Sequence, residues 1–189
     1  MRHLIAIHGA GHALIQIAHG ARKLDLRMPS FADAPHVVAI APKKQRLPHP
    51  APSSGDIIED GINLICYLVS GTCAHHFLDD GDYHYIACSS DLLQVSELCD
   101  LVADKAKIDT THLLVKSISA VNFLLQKHWT VVESIAEHLH NHGIASGNYL
   151  QRKCMRVERK STAERVLATL HDSVTDDESR RYKQIISLL

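Results

Sequence analysis

The apolar residues of this chain recur at the period of a helix, and that spacing constrains its fold more than any other feature. Over residues 2–20, Leu4, Ile7, Gly11, Leu14 and Ala18 share one stripe, while His8, His12 and Ile15 share the next. The sequence predicts a helix there that stops at His19–Gly20. Ile58, Ile62, Ile65 and Val69 repeat the pattern in a second predicted helix over 56–78. Ser89 or Ser90 is a suitable cap for a third that runs to Ala106. Residues 109–142 are strongly periodic, broken into two helices, and end at HNHG. From 144 on, IASGNYLQRKC restarts a short helix.

Strand signals are confined to one place. KLDLRM (23–28) and HVVAIA (36–41) alternate or are β-branched across a Pro/Asp/Ala turn, which predicts a small β-element after the first helix. The run 42–55 holds four prolines and no period, so it reads as a loop. Residues 79–88, DDGDYHYIAC, read as a turn.

With 189 residues, 46% of them hydrophobic and only 5% aromatic, the chain suits one soluble helical domain with a sizeable core. The formal charge of −1 gives no reason to expect nucleic acid or an anionic membrane as partner. No apolar run approaches the ~20 residues of a membrane span; the longest, Ile57 to Val69, carries Glu59, Asp60 and Asn63. Cys66, Cys73, Cys88, Cys99 and Cys154 form no C-x-x-C pair, which suggests reduced core thiols and a cytoplasmic address. No secretory signal and no phosphate-binding G-x-x-x-x-G-K-[ST] loop is expected.

Chemistry concentrates in IAIHGAGHALI (5–15). His8 and His12 stand four apart, so on a helix both imidazoles can face one cation. In a chain with 15 histidines such a pair is a weak signal, and two half-buried histidines on an amphipathic helix are the plainer reading. His138 and His142 are also four apart, at a predicted helix C-terminus where histidines serve as caps. His75 and His76 are adjacent, so at most one of them can face a common cleft.

Four segments, taken in order, resemble the FtsH family of membrane-anchored zinc peptidases. IAIHGAGHALI resembles its "AYHEAGHA" helix, LVSGTCAHHF (68–77) its "LLGGRAAEEL" helix, and SSDLLQVSELCDLV (89–102) its "SNDLEQATEIARAMV" helix. LLQKHWTVVESIAEHLHNHGIASGNYL (124–150) resembles the closing helices. The resemblance covers roughly residues 3–150 and implies an FtsH-like metallopeptidase helical domain, mainly α. It implies Zn2+ held by His8, His12 and Asp91, a peptide substrate along the 36–41 strand, and close packing at Gly11. Read without the resemblance, Asp91 is a first-turn carboxylate on a helix dipole.

Three departures matter. The motif's catalytic glutamate, the general base, is replaced by Gly9; the paired glutamates of the second motif become His75 and His76; and no ATPase module or anchor is expected beside the motifs. General acid–base groups contribute roughly 10²–10⁴-fold, so the expectation is a zinc-binding protein that is weak or inactive as a peptidase. Two alternatives stand beside it: an active metalloendopeptidase using Glu59, His75 or His76 as substitute base, and a metal-free helical peptide-binding or scaffold protein. A homo-oligomer or a separate ATPase are the expected protein partners. The segment 151–189 carries nine Lys/Arg against six Asp/Glu, net +3, against −4 for 1–150. It is expected to be a C-terminal helical extension packed on the domain or on a partner.

Overall fold

A computed structural model describes residues 2–21, 24–28, 38–40, 55–78 and 85–186. In chain order its elements are α1 (Arg2–Ala18), β1 (Asp25–Arg27), β2 (Val38–Ile40), α2 (Ile57–Leu78), α3 (Tyr85–Ala106), α4 (Thr110–Lys127), α5 (Trp129–His142), β3 (Ile144–Ala145), α6 (Gly147–Lys153), α7 (Thr162–Thr169) and α8 (Asp176–Ile186). The chain is mainly helical, as the apolar period implies.

The axis of the molecule is α2. It packs against α1, α3, α4 and α7, and an unbroken run from Ile65 to His75 is buried. A helix enclosed on every side must be apolar all round, which accounts for its composition. Among the described residues α2 is also the one helix long and apolar enough to cross a membrane, contrary to the expectation from sequence, but two-thirds of its most apolar stretch is buried inside this fold.

Helix α1 lies between α2 and α5. It approaches α2 closely because Gly11 has no side chain: a Cβ there would sit 2.7 Å from the carbonyl oxygen of Ser70 and 2.9 Å from Cβ of Ala74. Gly61 does the same for α2 and α3, where a Cβ would meet Cγ2 of Val102 at 2.4 Å. Gly20 (φ 92°) follows α1, and Gly143 (φ 71°) ends α5 in the left-handed conformation its position requires.

The β-element is a three-stranded antiparallel sheet in the order β2-β1-β3. Leu26 pairs with Ala39 on one side and Ala145 on the other, and its side chain is fully buried. Strand β3 is a correction to the sequence reading, in which 144 opened a helix. The helix starts at Gly147, after the Ser146 cap, and the amide of Gly147 donates to Asp25 Oδ1 at 2.7 Å.

Three further expectations are revised. Helix α3 begins at Tyr85, so Ser89 and Ser90 lie inside it and do not cap it, and 85–88 are helical; 79–84 lie outside the described residues, as does 41–54 of the proline-rich loop. The boundary at 150 has no structural counterpart, because α6 runs across it. Beyond it, Cys154, Val157, Ala163, Val166, Leu170 and Tyr182 belong to the same core as α1 and α2.

One side chain of α2 fastens that C-terminal part. Asn63 is 2% exposed, and its Oδ1 accepts from the Ser161 hydroxyl (2.9 Å), the Thr162 hydroxyl (3.2 Å) and the Ala163 amide (3.0 Å). Ser161 makes no side-chain cap of its own. One of the orphan backbone donors at the start of α7, the Ala163 amide, is therefore satisfied from another helix. The Thr162 hydroxyl, donating to Asn63, accepts in turn from His19 Nε2.

Candidate metal centre

His8 and His12 project from the α1 face that meets α2, and Asp91 reaches them from α3. Nε2 of His8 lies 3.1 Å from Asp91 Oδ2, Nε2 of His12 lies 3.2 Å from the same oxygen, and the two nitrogens are 2.9 Å apart. The histidines are 7% and 6% exposed. These atoms form a nearly equilateral triangle at the junction of α1, α2 and α3.

The protons do not suffice to explain that triangle. Nδ1–H of His12 donates to the Tyr67 carbonyl at 2.8 Å and lies 3.1 Å from Ser70 Oγ, whose own hydroxyl donates to the same carbonyl at 2.6 Å. With Nδ1 protonated, Nε2 of the neutral His12 ring is an acceptor. The carboxylate of Asp91 is an acceptor as well. With both rings neutral, one proton on His8 Nε2 is the most that can serve all three contacts. Three lone pairs converging at 2.9–3.2 Å instead match one face of a coordination polyhedron. Tetrahedral ligands about 2.0–2.1 Å from zinc stand about 3.3 Å from one another. The donor set therefore fits a cation, and His8, His12 and Asp91 can hold a metal ion; among the described residues they are the one such group.

The electrostatics agree. Burial, then the neighbouring His12, brings the His8 imidazole down to about 4, with Asp91 pulling weakly the other way, so the ring is neutral and its lone pair available at ordinary pH. Burial tends to raise the Asp91 carboxyl, but the adjoining imidazoles of His12 and His8 outweigh it and hold it below its ordinary value, so it too stays an acceptor. Burial and the charge of Asp91 push the Tyr67 phenol up. Its ring lies 4.6 Å from that of His12.

The His8 ring rests on a glycine. A Cβ at Gly71 would come within 2.4–2.6 Å of three atoms of the imidazole, so only glycine admits the ring in this place. Tyr67, Ser70 and Gly71, one turn of α2, thus orient both histidines. Sequence reasoning placed Ser70 and Gly71 in a motif (68–77) but gave them no role, and passed over Tyr67. The one hint is a Ser-Gly pair within an otherwise bulky apolar helix, and its meaning depends on which helix crosses there.

The other singled-out residues are dispersed. Gly9 is buried on α1. Glu59 is in the first turn of α2, twelve residues before Gly71, or about 18 Å along the axis. His75 is buried, with its ring 5.1 Å from His8, and its Nε2 donates to the Leu4 carbonyl at 2.9 Å. His76 lines a groove with Phe123 and Tyr182 instead. Adjacent positions on a helix diverge, and here only His75 faces the centre. Asp91 is the seventh residue of α3, not in its first turn, so the helix dipole does not account for it. At the end of α5, the rings of His138 and His142 lie 4.4 Å apart and His138 stacks on Tyr149; a hydrogen bond to the backbone of Ile144 joins His138 to the segment beyond the helix.

No protein-family model matches the chain, and no curated protein matches it.

Proposed function

We propose that the chain is a protein of FtsH-like peptidase fold that binds one zinc ion on His8, His12 and Asp91 and is weak or inactive as a peptidase. One observation carries the reading. Three acceptor atoms from two helices converge to within 3.2 Å, with the far side of His12 tied to the Tyr67 carbonyl. Metal-binding histidines are commonly oriented by such a carbonyl. Asp91 adds weight, because it stands 83 positions from His8 and was assigned as third ligand by the ordered motifs alone.

Zinc held by three protein ligands supplies an acidified water and a polarised carbonyl. The chain's own residues give little help with the proton. Position 9 has no side chain, Glu59 is remote along α2, His76 turns away, and Nε2 of His75 is committed to Leu4. Peptide binding has more support: among the described residues β2 is an edge strand of the sheet, and its outer side can accept an extended segment by strand addition. Residues 36, 37 and 41 of that run lie outside the described residues.

Metal analysis of protein purified without chelator or nickel resin tests the proposal. About one zinc per chain is expected, lost in His8→Ala. Iron in place of zinc would keep the site but change its chemistry, since two histidines and one carboxylate also suit Fe(II). A metal-free protein, or unchanged metal in His8→Ala, would leave a helical peptide-binding or scaffold protein as the better reading.

A further inference from the structure

The C-terminal end of α5 carries a second histidine pair that repeats the geometry of the first. His138 and His142 are four apart on one helix, as His8 and His12 are. Their ring centres lie 4.4 Å apart, against 4.5 Å for His8 and His12, whose Nε2 atoms stand 2.9 Å from each other. The tether repeats as well. One ring N–H of His138 donates to the backbone of Ile144, as Nδ1–H of His12 does to the Tyr67 carbonyl. In the neutral ring the other nitrogen then keeps its lone pair, and a backbone partner of this kind fixes tautomer and orientation in metal-binding histidines. Burial, then the charges of His142 and Lys153, hold the His138 imidazole below its ordinary value, so that lone pair is available at neutral pH.

His138 is also held by packing. Its ring stacks on Tyr149, with 3.8 Å between centres and 15° between planes. The tyrosine is pinned in turn, its hydroxyl donating at 3.0 Å to the carbonyl of Ser134, one turn before His138 in α5. Capping accounts for the bond to Ile144 but not for the stack. It also leaves out His142, which is exposed and whose ring, among the described residues, forms no hydrogen bond. One imidazole is thus fixed in advance, and a single exposed side chain completes the pair.

The ligand count decides the class of ion. No carboxylate joins the two rings: Glu137 is adjacent to His138 and diverges from it round the helix. Structural zinc takes four protein ligands and catalytic zinc three. Two neutral imidazoles, with water in the remaining positions, suit tetragonal Cu(II), which also heads the affinity order of the divalent ions. Lys153 opposes a cation here, with its ammonium 5.7 Å from the centre of the Tyr149 ring, but it is exposed and its charge is screened. We propose that His138 and His142 form a second metal site, open to solvent and selective for Cu(II), which shares no residue with the zinc centre.

Cu(II) titrated into the full chain, followed by electron paramagnetic resonance, tests this. A site that depends on His142 should fill with Kd of about 10 µM or tighter, show splitting from two imidazole nitrogens, and bind Zn(II) more weakly than Cu(II). His142→Ala, at an exposed position, should weaken it at least about tenfold and leave one nitrogen. His8→Ala should keep it. Identical copper binding in His142→Ala and the natural chain, or a Kd weaker than about 100 µM, would mean an adventitious ion only and overturn the proposal. Zn(II) bound as tightly as Cu(II) would overturn the selectivity, and loss of the signal in His8→Ala would place the copper at the buried centre instead. If His8→Ala does not fold, the comparison of His142→Ala with the natural chain decides alone.

Discussion

Gly71→Ala is the most direct probe of the metal centre, because it adds one methyl group where the His8 ring lies. The new Cβ would stand 2.4 Å from Cε1, 2.5 Å from Nδ1 and 2.6 Å from Nε2 of that ring, where ordinary contact begins at 3.4 Å. The imidazole must retreat by about 1 Å, roughly a third of its distance to either partner in the triangle. It has little room to do so, with His12 at 4.5 Å and His75 at 5.1 Å between ring centres. Overpacking of this kind costs about 1–3 kcal/mol, whereas alanine gains up to about 1 kcal/mol over glycine in a helix. The sum is a net loss of up to about 3 kcal/mol, measured by thermal or denaturant unfolding in chelator. Zinc affinity, read by competition with a chelating dye, should fall about 10–100-fold, as it does when the groups that orient a ligand are disturbed. Gly61→Ala is the control. Its Cβ clashes with Val102 at 2.4 Å, away from the triangle, so it should cost similar stability and leave zinc affinity alone. If Gly71→Ala binds zinc as tightly as the natural chain and is more stable than it, the ring does not occupy the place that the argument requires.

Other outcomes follow from the same geometry. Gly9→Glu should create measurable hydrolysis of unfolded casein where the natural chain shows none above a ligand-free mutant, since a general base is worth roughly 10²–10⁴-fold; a zinc-loaded but silent Gly9→Glu would argue against a peptidase site. Asn63→Leu removes one acceptor from three donors and should lower stability by about 1–3 kcal/mol in thermal unfolding, with unchanged stability counting against the cap. Burial lifts the thiols of Cys66, Cys99 and Cys154 to about 11, 12 and 11. Mass spectrometry after iodoacetamide at pH 8 should find all three unmodified in the native protein, and rapid labelling would place them nearer solvent.

The helices were legible because each long segment writes its buried face at a period of 3.6. The pairing of His8 with His12 follows from that same spacing. Asp91 does not: no local pattern joins residues 83 apart, and only the order of motifs pointed to it. What the sequence hid belongs to crossings between elements. The two residues of β3 have no period to read, since two positions cannot show alternation. The start of α3 was misplaced because Ser89 and Ser90 look like caps whether or not the helix has already begun. Segment 151–189 reads as amphipathic helices packed on the domain or on a partner, and its Val157, Ala163, Val166 and Leu170 do join the core; what stayed hidden is the tie to Asn63, a polar residue in α2 that looks like an interruption until its partners are known.

That asparagine also bears on how the chain is made. Its three partners lie 98, 99 and 100 positions downstream, so during synthesis α2 leaves the ribosome long before α7 exists to cover it. At ~5–20 residues per second the gap lasts ~5–20 s. Through that interval a 22-residue helix of membrane-spanning length and hydropathy lacks one wall of its enclosure and keeps a bare amide in its N-terminal third. The nascent chain is then at its most exposed to aggregation and to factors that bind apolar segments. Asn63 makes α2 a poorer match for lipid until the end of the chain arrives to close the fold.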